Sequence, residues 1–431
     1  MNAPYRVRPV AHPVQARVRP PGSKSLTNRA LVCAALGSGK SRLTGVLDSE
    51  DTRVMVKAWQ QLGIDVLVDW QHQTADIRGC GGHLAESVRL ANLTIDVANS
   101  GTTIRFMAAV LAALSGSYRL EGTPRMHQRP IGDLASAVRA LGGQMSTAGD
   151  QGTPPVSIQS AGLAGGNVTI DASASSQFVS ALMLAAPLAR QRTTIRIAGH
   201  RVSRPYIAMT HRVMHRFGID INIHPDQDQL TIDPQIYQAA DFEIEPDASA
   251  ASYFFAAAAI VGGSVTVEGL SRDSLQGDVR FVECLERMGC TVHWREHEIQ
   301  VVGQARRGTE FDLGDISDTA QTLAAVALFA DSPTTIRGIA HNRLKETDRI
   351  GNLATELRRV GATVVELDDG LAITPGPLRG ATLETYDDHR MAMSLALIGL
   401  RVPGIEIANP TCVGKTYPNF FIDLERVIGQ T

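Results

Sequence analysis

Cysteine is scarce in this chain of 431 residues: there are five, Cys33, Cys80, Cys284, Cys290 and Cys412. Their number is odd and no two form a Cys-x-x-Cys pair, so they read as reduced thiols of a cytosolic protein and offer no metal-ligand spacing. Long apolar runs are missing as well. The longest, Tyr253 to Gly263, is far too short to span a membrane. A basic excess is also absent. The net charge of -3 argues against a general nucleic-acid or membrane-surface binder, so any polyanion site must be local. The first twenty residues carry Arg6, Arg8, Arg17 and Arg19 without an acid, but also four prolines and no apolar signal core, so no secretory targeting is expected.

What is present describes a globular protein, with 44% hydrophobic and 20% charged residues. The length exceeds what one ordinary core accommodates, so two or more lobes are expected. The dominant pattern is a repeat with a period of about 70 residues. Helical stretches ending in a hydrophobic residue plus glycine recur at Gly63, Gly142, Gly218, Gly289, Gly361 and Gly429, mostly followed by β-prone runs such as Ile64 to Val68 or Ala362 to Val365. Glycine after the last apolar turn is a helix C-cap signal.

Each copy also opens on a small polar residue leading into an Ala-rich helix. These helices run from Ser23 to Leu36, Asn99 to Leu114, Ser173 to Ala189, Asp247 to Val261, Asp315 to Ala330 and Asp387 to Leu400. A helix apolar nearly all round belongs in the interior. Its N-terminus offers free backbone N–H groups and partial positive charge, so six converging starts would bind anions. Three copies precede about residue 246 and three follow. Phe242 to Pro246 is the natural crossing point, and the expectation is an α/β protein of two similar lobes with a cleft between them.

Chemistry-bearing residues gather at the same starts and in the polar loops. Lys24, Ser25 and Arg29 open the first buried helix in a form suited to phosphate. The run Gly37 to Ser41 mimics a nucleotide-binding P-loop, but Ala34 stands where the pattern needs glycine, and the segment follows a helix; it reads as a helix-to-strand turn. Asn99 and Gly101 open the second helix, with Arg129 in the matching loop, and Gly101 lets a ligand approach the backbone closely. Ser175, Ser176 and Gln177 begin the third, with Ser203 and Tyr206 in its loop.

The second half supplies Asp318 at the fifth helix, Arg390 at the sixth and Lys415 in a late loop. It also supplies the stretch Lys345-Glu346-Thr347-Asp348-Arg349, read as a helix start on which Lys345 and Arg349 share a face around an anion. Asp348 is expected to orient its basic neighbours. His12, His72, His83 and His215 read as surface residues. Asp318 and Glu346 are the candidate acid and base of a site that closes on a compact polyanion.

These motifs, in this order from Pro21 to the C-terminus, resemble the 5-enolpyruvylshikimate-3-phosphate synthase family. The resemblance rests on Pro21-Gly22-Ser23-Lys24-Ser25 with Asn28-Arg29, Asn99-Ser100-Gly101-Thr102 with Arg105, and Arg129-Pro130-Ile131-Gly132. It continues through Ser175-Ser176-Gln177-Phe178, Lys345 to Arg349 and Asp388 to Met393. It implies a two-domain inside-out α/β barrel of six similar units, three per domain. One domain would take residues 1–23 and 247–431, the other 24–246.

The implied reaction is that of the shikimate pathway, on the route to chorismate and the aromatic amino acids: transfer of the enolpyruvyl group of phosphoenolpyruvate to the 5-hydroxyl of shikimate 3-phosphate. It runs by addition and elimination through a tetrahedral intermediate, with release of phosphate and no cofactor or metal. Asp318, Glu346 and Lys24 match catalytic positions. Lys24, Gly101, Arg129, Gln177, Arg349, Arg390 and Lys415 match phosphoenolpyruvate positions, and Asn99 stands at the same helix start. Ser25, Arg29, Ser175, Ser176, Gln177, Ser203 and Lys345 match shikimate 3-phosphate positions, with Tyr206 lining the ring.

Gly101 is the small residue of members sensitive to glyphosate. His341 departs from an asparagine seen in some members, and Phe106 from a common proline. A monomer in the cytoplasm is expected. The rivals are the sister enzyme acting on UDP-N-acetylglucosamine, disfavoured because Arg125 to Arg129 holds no cysteine and Lys24 is followed by Ser25, and a noncatalytic polyanion-binding module.

Overall fold

A computed structural model describes residues 3–149, 152–199, 203–224 and 227–429. The chain divides into two compact units, Gly22–Ile244 (the N-half unit) and Met1–Pro21 with Glu245–Thr431 (the C-half unit). The expected boundaries, after residues 23 and 246, lie two residues further along the chain. Gly22 begins the N-half unit under tight constraint, because a Cβ there would overlap the carbonyl of Gly45.

The N-half unit contains three four-stranded sheets, each built the same way. In the second copy, strand Asn92–Asp96 is followed by buried helix Gly101–Ala113 and by strand Gly116–Glu121, which runs parallel to the first. An outer helix, Gly132–Ala140, leads into the hairpin Met145–Gly149 and Thr153–Ser160, whose second strand pairs antiparallel with Gly116–Glu121. A parallel pair needs such a crossover, and a helix that covers one sheet face supplies it. The third copy repeats this with strands Gly166–Asp171, Thr193–Ala198, Asn222–His224 and Gln229–Ile232 around helix Ser176–Ala185.

The first copy borrows its first strand. Phe242–Glu243, from the end of the unit, lies parallel to the end of Ser38–Thr44. The fourth copy, in the C-half unit, does the same with the N-terminal strand Val14–Val18, which runs parallel to Gly263–Glu268. This pairing assigns the first twenty-one residues to the C-half unit.

The fifth copy is complete, with strands Glu310–Asp312, Thr334–Arg337, Thr363–Leu367 and Gly370–Thr374. The sixth differs: Thr382–Leu383 and Glu406–Ile407 lack a following hairpin, and Tyr5–Arg6 pairs antiparallel with Glu406–Ile407 in its place.

Helices are inside and sheets outside in each unit. Every residue of Gly101–Ala113 is buried, and Ala248–Val261 is buried from Ala248 to Ile260. Strands such as Val14–Val18 alternate buried and exposed residues, the signature of a sheet with one wet face. Alanines let these helices pack closely, while Phe254, Phe255 and Leu323 fill the C-half core, each fully buried large side chain contributing about 1.5–3 kcal/mol. The glycines ending the outer helices of the first five copies have φ between 75° and 110°, the left-handed cap expected of them. Of the run Gly37 to Ser41, expected as a helix-to-strand turn, only Gly37 forms the turn after helix Lys24–Leu36; Ser38 to Ser41 already belong to strand Ser38–Thr44.

Candidate active site

Five of the six buried helices start on a side-chain cap, at Ser23 and Asp247 as expected and one or two residues later than expected at Ser100, Ser175 and Asp388, while the fifth, Ala320–Ala327, has none. Ser23, Ser100 and Ser175 in the N-half unit accept hydrogen bonds from Leu26, Thr103 and Gln177 N–H groups, and Asp247 and Asp388 do the same in the C-half unit.

In the N-half unit, Arg29 is the most deeply buried cation. It lies in the first buried helix, where its Nε donates to Thr210 Oγ1 at 2.7 Å and its Nη1 to the Ser25 carbonyl at 3.0 Å. Nη2 faces Ser180 Oγ at 3.2 Å, and the guanidinium lies 5.1 Å from the Phe106 ring centroid and 5.7 Å from that of Tyr206. No carboxylate pairs with it among the described residues. Burial accordingly pulls its pKa down to about 10. Arg29 is thus a fixed cation held, among the described residues, by neutral groups.

Lys24, one turn earlier, lies 3.4 Å from Asp51. Arg129 is buried and donates from Nη1 to the Asn99 carbonyl at 3.2 Å. Its guanidinium covers Gly101 so closely that a Cβ on Gly101 would stand 2.7 Å from Arg129 Cζ. Gln177 is fixed at both ends, its Oε1 accepting from Arg105 Nη1 at 2.6 Å and its Nε2 donating to Thr102 Oγ1 at 3.2 Å. Ser175 and Ser176 are buried at the same helix start, and Ser203, with φ of 53°, begins the helix that carries Tyr206. Of the N-half candidates, the structure joins Arg29 to Ser25 and Tyr206, and Arg129 to Asn99 and Gly101.

In the C-half unit the charges form one network around Arg349. Its Nε and Nη2 reach the two oxygens of Asp388 at 2.7 and 3.2 Å, its Nη2 also meets Glu346 at 2.8 Å, and its Nη1 meets Asp318 at 3.3 Å. Asp318 also accepts from Arg390 Nη2 at 2.7 Å, and Glu346 lies 3.7 Å from Lys415. Burial disfavours the Arg349 charge, but Asp388, Glu346 and Asp318 together outweigh it and raise its pKa. Lys345 stands at the end of the short turn Ala340–Leu344, half-buried.

One local expectation fails. Lys345 to Arg349 is not a helix start; it is a bent segment, and the helix runs Gly351–Arg359. Asp348 ends the bend by accepting from the N–H groups of Ile350 and Gly351, both at 3.0 Å. Its other oxygen binds Arg343 at 2.9 Å, so it orients Arg343 through a direct pair. Freed from helical geometry, Arg349 turns inward to Asp388. His341 is buried, its Nε2 2.8 Å from Ser317 Oγ.

Four residues escaped the sequence reading as site members: Asp51, Arg105, Asp278 and Asp388. Arg105 and Asp388 stand inside motifs already singled out, and an acid two positions before Arg390 was a signal for pairing. Asp278 gave none. It is buried against helix Ala248–Val261, where it accepts from Ser249 Oγ. Burial, then the negative charge of Asp318, push its carboxyl up to about 7.

Comparison with known proteins agrees with this geometry. The family model for EPSP synthase (3-phosphoshikimate 1-carboxyvinyltransferase) matches residues 10–424. A 3-phosphoshikimate 1-carboxyvinyltransferase of Nostoc punctiforme is 46% identical over 420 residues, 97% of each chain, and one of Pseudoalteromonas atlantica is 42% identical over 429 residues, 99% of each. A solved EPSP synthase of Acinetobacter baumannii superposes with a TM-score of 0.82 at 25% identity, covering 99% of this chain and 98% of that one. With its six-copy α/β architecture, its capped helix starts and its clustered cations, the chain belongs to the EPSP synthase family.

Proposed function

We propose that the protein transfers the enolpyruvyl group of phosphoenolpyruvate to the 5-hydroxyl of shikimate 3-phosphate and releases phosphate. The observation that carries the residue assignment is the C-half network. Asp318 and Glu346, the two carboxylates suited to proton traffic, are paired with Arg349, Arg390 and Lys415, the three cations suited to a ligand bearing both phosphate and carboxylate.

Arg349, Arg390 and Lys415, with Lys24, Arg129 and Gln177, take phosphoenolpyruvate, while Asn99 holds Arg129 in place. Arg29, Ser25, Ser175, Ser176, Ser203 and Lys345 take the phosphate and hydroxyls of shikimate 3-phosphate, and Tyr206 lines its ring. The 5-hydroxyl oxygen attacks C2 of phosphoenolpyruvate, Asp318 receives the hydroxyl proton and Glu346 delivers one to the C3 methylene, which becomes a methyl group. Elimination removes a proton from that methyl, restores the double bond and expels phosphate.

As the substrate engages Arg349 and Lys415, it meets the two cations that Glu346 pairs with. Lys24 and the arginines then stabilise the charge that builds on the leaving phosphate.

Glyphosate, which mimics phosphoenolpyruvate, competes for the same cations in this reading. Unchanged turnover at glyphosate concentrations far above the phosphoenolpyruvate KM would contradict that. In this reading the protein acts as a monomer in the cytoplasm, where its five free cysteines stay reduced. The assignment is tested by Asp318→Asn and Glu346→Gln. Each should lower kcat by at least about a hundredfold, and intact turnover in both would sink the catalytic roles.

A further inference from the structure

Glu356 looks like a surface residue in the sequence, one turn from the end of an outer helix and followed by Arg358 and Arg359. In the structure its side chain is fully buried. Among the described residues, its side-chain hydrogen bonds go to one short segment. Oε1 accepts from Tyr386 Oη at 2.7 Å, and Oε2 accepts from the Glu384 N–H at 3.0 Å. Arg359 supplies the compensating charge, 3.4 Å from Oε1. Burying a carboxylate costs free energy, which these hydrogen bonds and the ion pair offset.

The segment it holds is strained. Tyr386 and Asp387 are consecutive non-glycine residues in the left-handed region, with φ of 53° and 56°. The chain then enters the buried Asp388, whose N–H donates to the Thr385 carbonyl at 2.9 Å. Asp388 in turn binds Arg349 and caps the helix that begins with His389 and Arg390. On the outer side, Asp387 accepts from Asn409 Nδ2 at 3.1 Å, just before the turn Pro410–Lys415 that carries Lys415. A backbone in this conformation persists only where its surroundings over-determine it.

We infer that Glu356 is a positioning residue for the phosphoenolpyruvate cations, holding the strained turn Tyr386–Asp387 so that Asp388 presents Arg349 and Arg390 in register. The inference rests on the reading of Arg349 and Arg390 as phosphoenolpyruvate ligands. Glu356 touches no substrate. It acts through Tyr386 and the Glu384 backbone, and these contacts keep the strained turn in one arrangement.

Steady-state kinetics of Tyr386→Phe, Glu356→Gln and the double variant test this. The phosphoenolpyruvate KM should rise about tenfold in Glu356→Gln and somewhat less in Tyr386→Phe, the scale of one lost hydrogen bond to a charged group. The double variant should be no worse than Glu356→Gln, because both changes break one contact. The shikimate 3-phosphate KM should stay within about twofold, since Arg29 and its neighbours lie in the other unit and Lys345 stands outside the hydrogen bonds that Glu356 makes.

A phosphoenolpyruvate KM unchanged in Tyr386→Phe and Glu356→Gln, whatever happens to Tm, overturns the positioning role. If Glu356→Gln does not fold, Tyr386→Phe alone decides, since it removes one hydroxyl from a half-buried ring. Wild-type protein that released no phosphate from the two substrates would overturn the enzymatic reading and this role together. Active wild type with unshifted variants overturns only the role of Glu356.

Discussion

Arg349 and Asp388 form a two-pronged pair, Nε to Oδ2 at 2.7 Å and Nη2 to Oδ1 at 3.2 Å, with both side chains withdrawn from water. Such a fork fixes the plane of the guanidinium as well as its position. Removing one partner strands the other, at a cost of roughly 3–5 kcal/mol. Asp388→Asn should therefore lower Tm, and at temperatures where it remains folded it should raise the phosphoenolpyruvate KM far more than the shikimate 3-phosphate KM. Equal effects on both constants would mean that the pair serves the fold alone.

Gly101 and Arg129 make the second prediction. A methyl group on Gly101 would lie within 2.7 Å of Arg129 Cζ, so the guanidinium must move while the helix backbone need not. Gly101→Ala should keep its Tm and raise the phosphoenolpyruvate KM, by about tenfold for a displaced charged hydrogen-bonding group. An unchanged KM would show that Arg129 swings aside without consequence. Steady-state kinetics with both substrates give the answer.

Arg29 separates binding from stability. It carries a buried charge matched by no described carboxylate, so an apolar side chain of similar volume should be tolerated by the fold. The hydroxyls it leaves keep partners, because Thr210 Oγ1 lies 2.8 Å from Ser180 Oγ and 2.7 Å from the Tyr206 carbonyl, either of which can take its one proton. Arg29→Met should leave Tm within a few degrees of wild type. The shikimate 3-phosphate KM should rise by roughly 30- to 100-fold, the worth of a charged hydrogen bond or two. A large drop in Tm with binding retained would reverse the argument.

Much of this was legible in the chain because it is local. The buried helices announce themselves by alanine and by capping serines and aspartates, and the outer helices of the first five copies by glycines that do adopt φ of 75° or more. Where geometry depends on distant partners, local pattern misleads. Lys345 and Arg349 have helical spacing, but the Asp348 cap and the pull of Asp388 keep them out of a helix. Glu356 carries the sequence context of a solvated face and is nevertheless buried by a turn thirty residues on. The closing strand of the sixth copy comes from Tyr5–Arg6, a pairing that no window of sequence contains. Arg29 shows the same limit: its position is plain in the motif, its isolation from carboxylates only in three dimensions.

Asp278 predicts a pH dependence. Burial first, and the charge of Asp318 second, raise its carboxyl from 3.8 to about 7 in the folded protein. The folded form therefore binds a proton that the unfolded chain has released, and the stability this proton carries is complete below 3.8 and lost as pH rises through about 7. Thermal melts between about pH 5 and about pH 8 should show wild type losing several degrees more than Asp278→Asn, which keeps a neutral side chain throughout. Parallel curves would mean that Asp278 is ionised in the fold.

The most direct measurement is phosphate release by purified protein given phosphoenolpyruvate with shikimate 3-phosphate, and separately phosphoenolpyruvate with UDP-N-acetylglucosamine. The account predicts stoichiometric phosphate and enolpyruvyl product with the first acceptor and none with the second. Release with UDP-N-acetylglucosamine alone, or with neither, would contradict it.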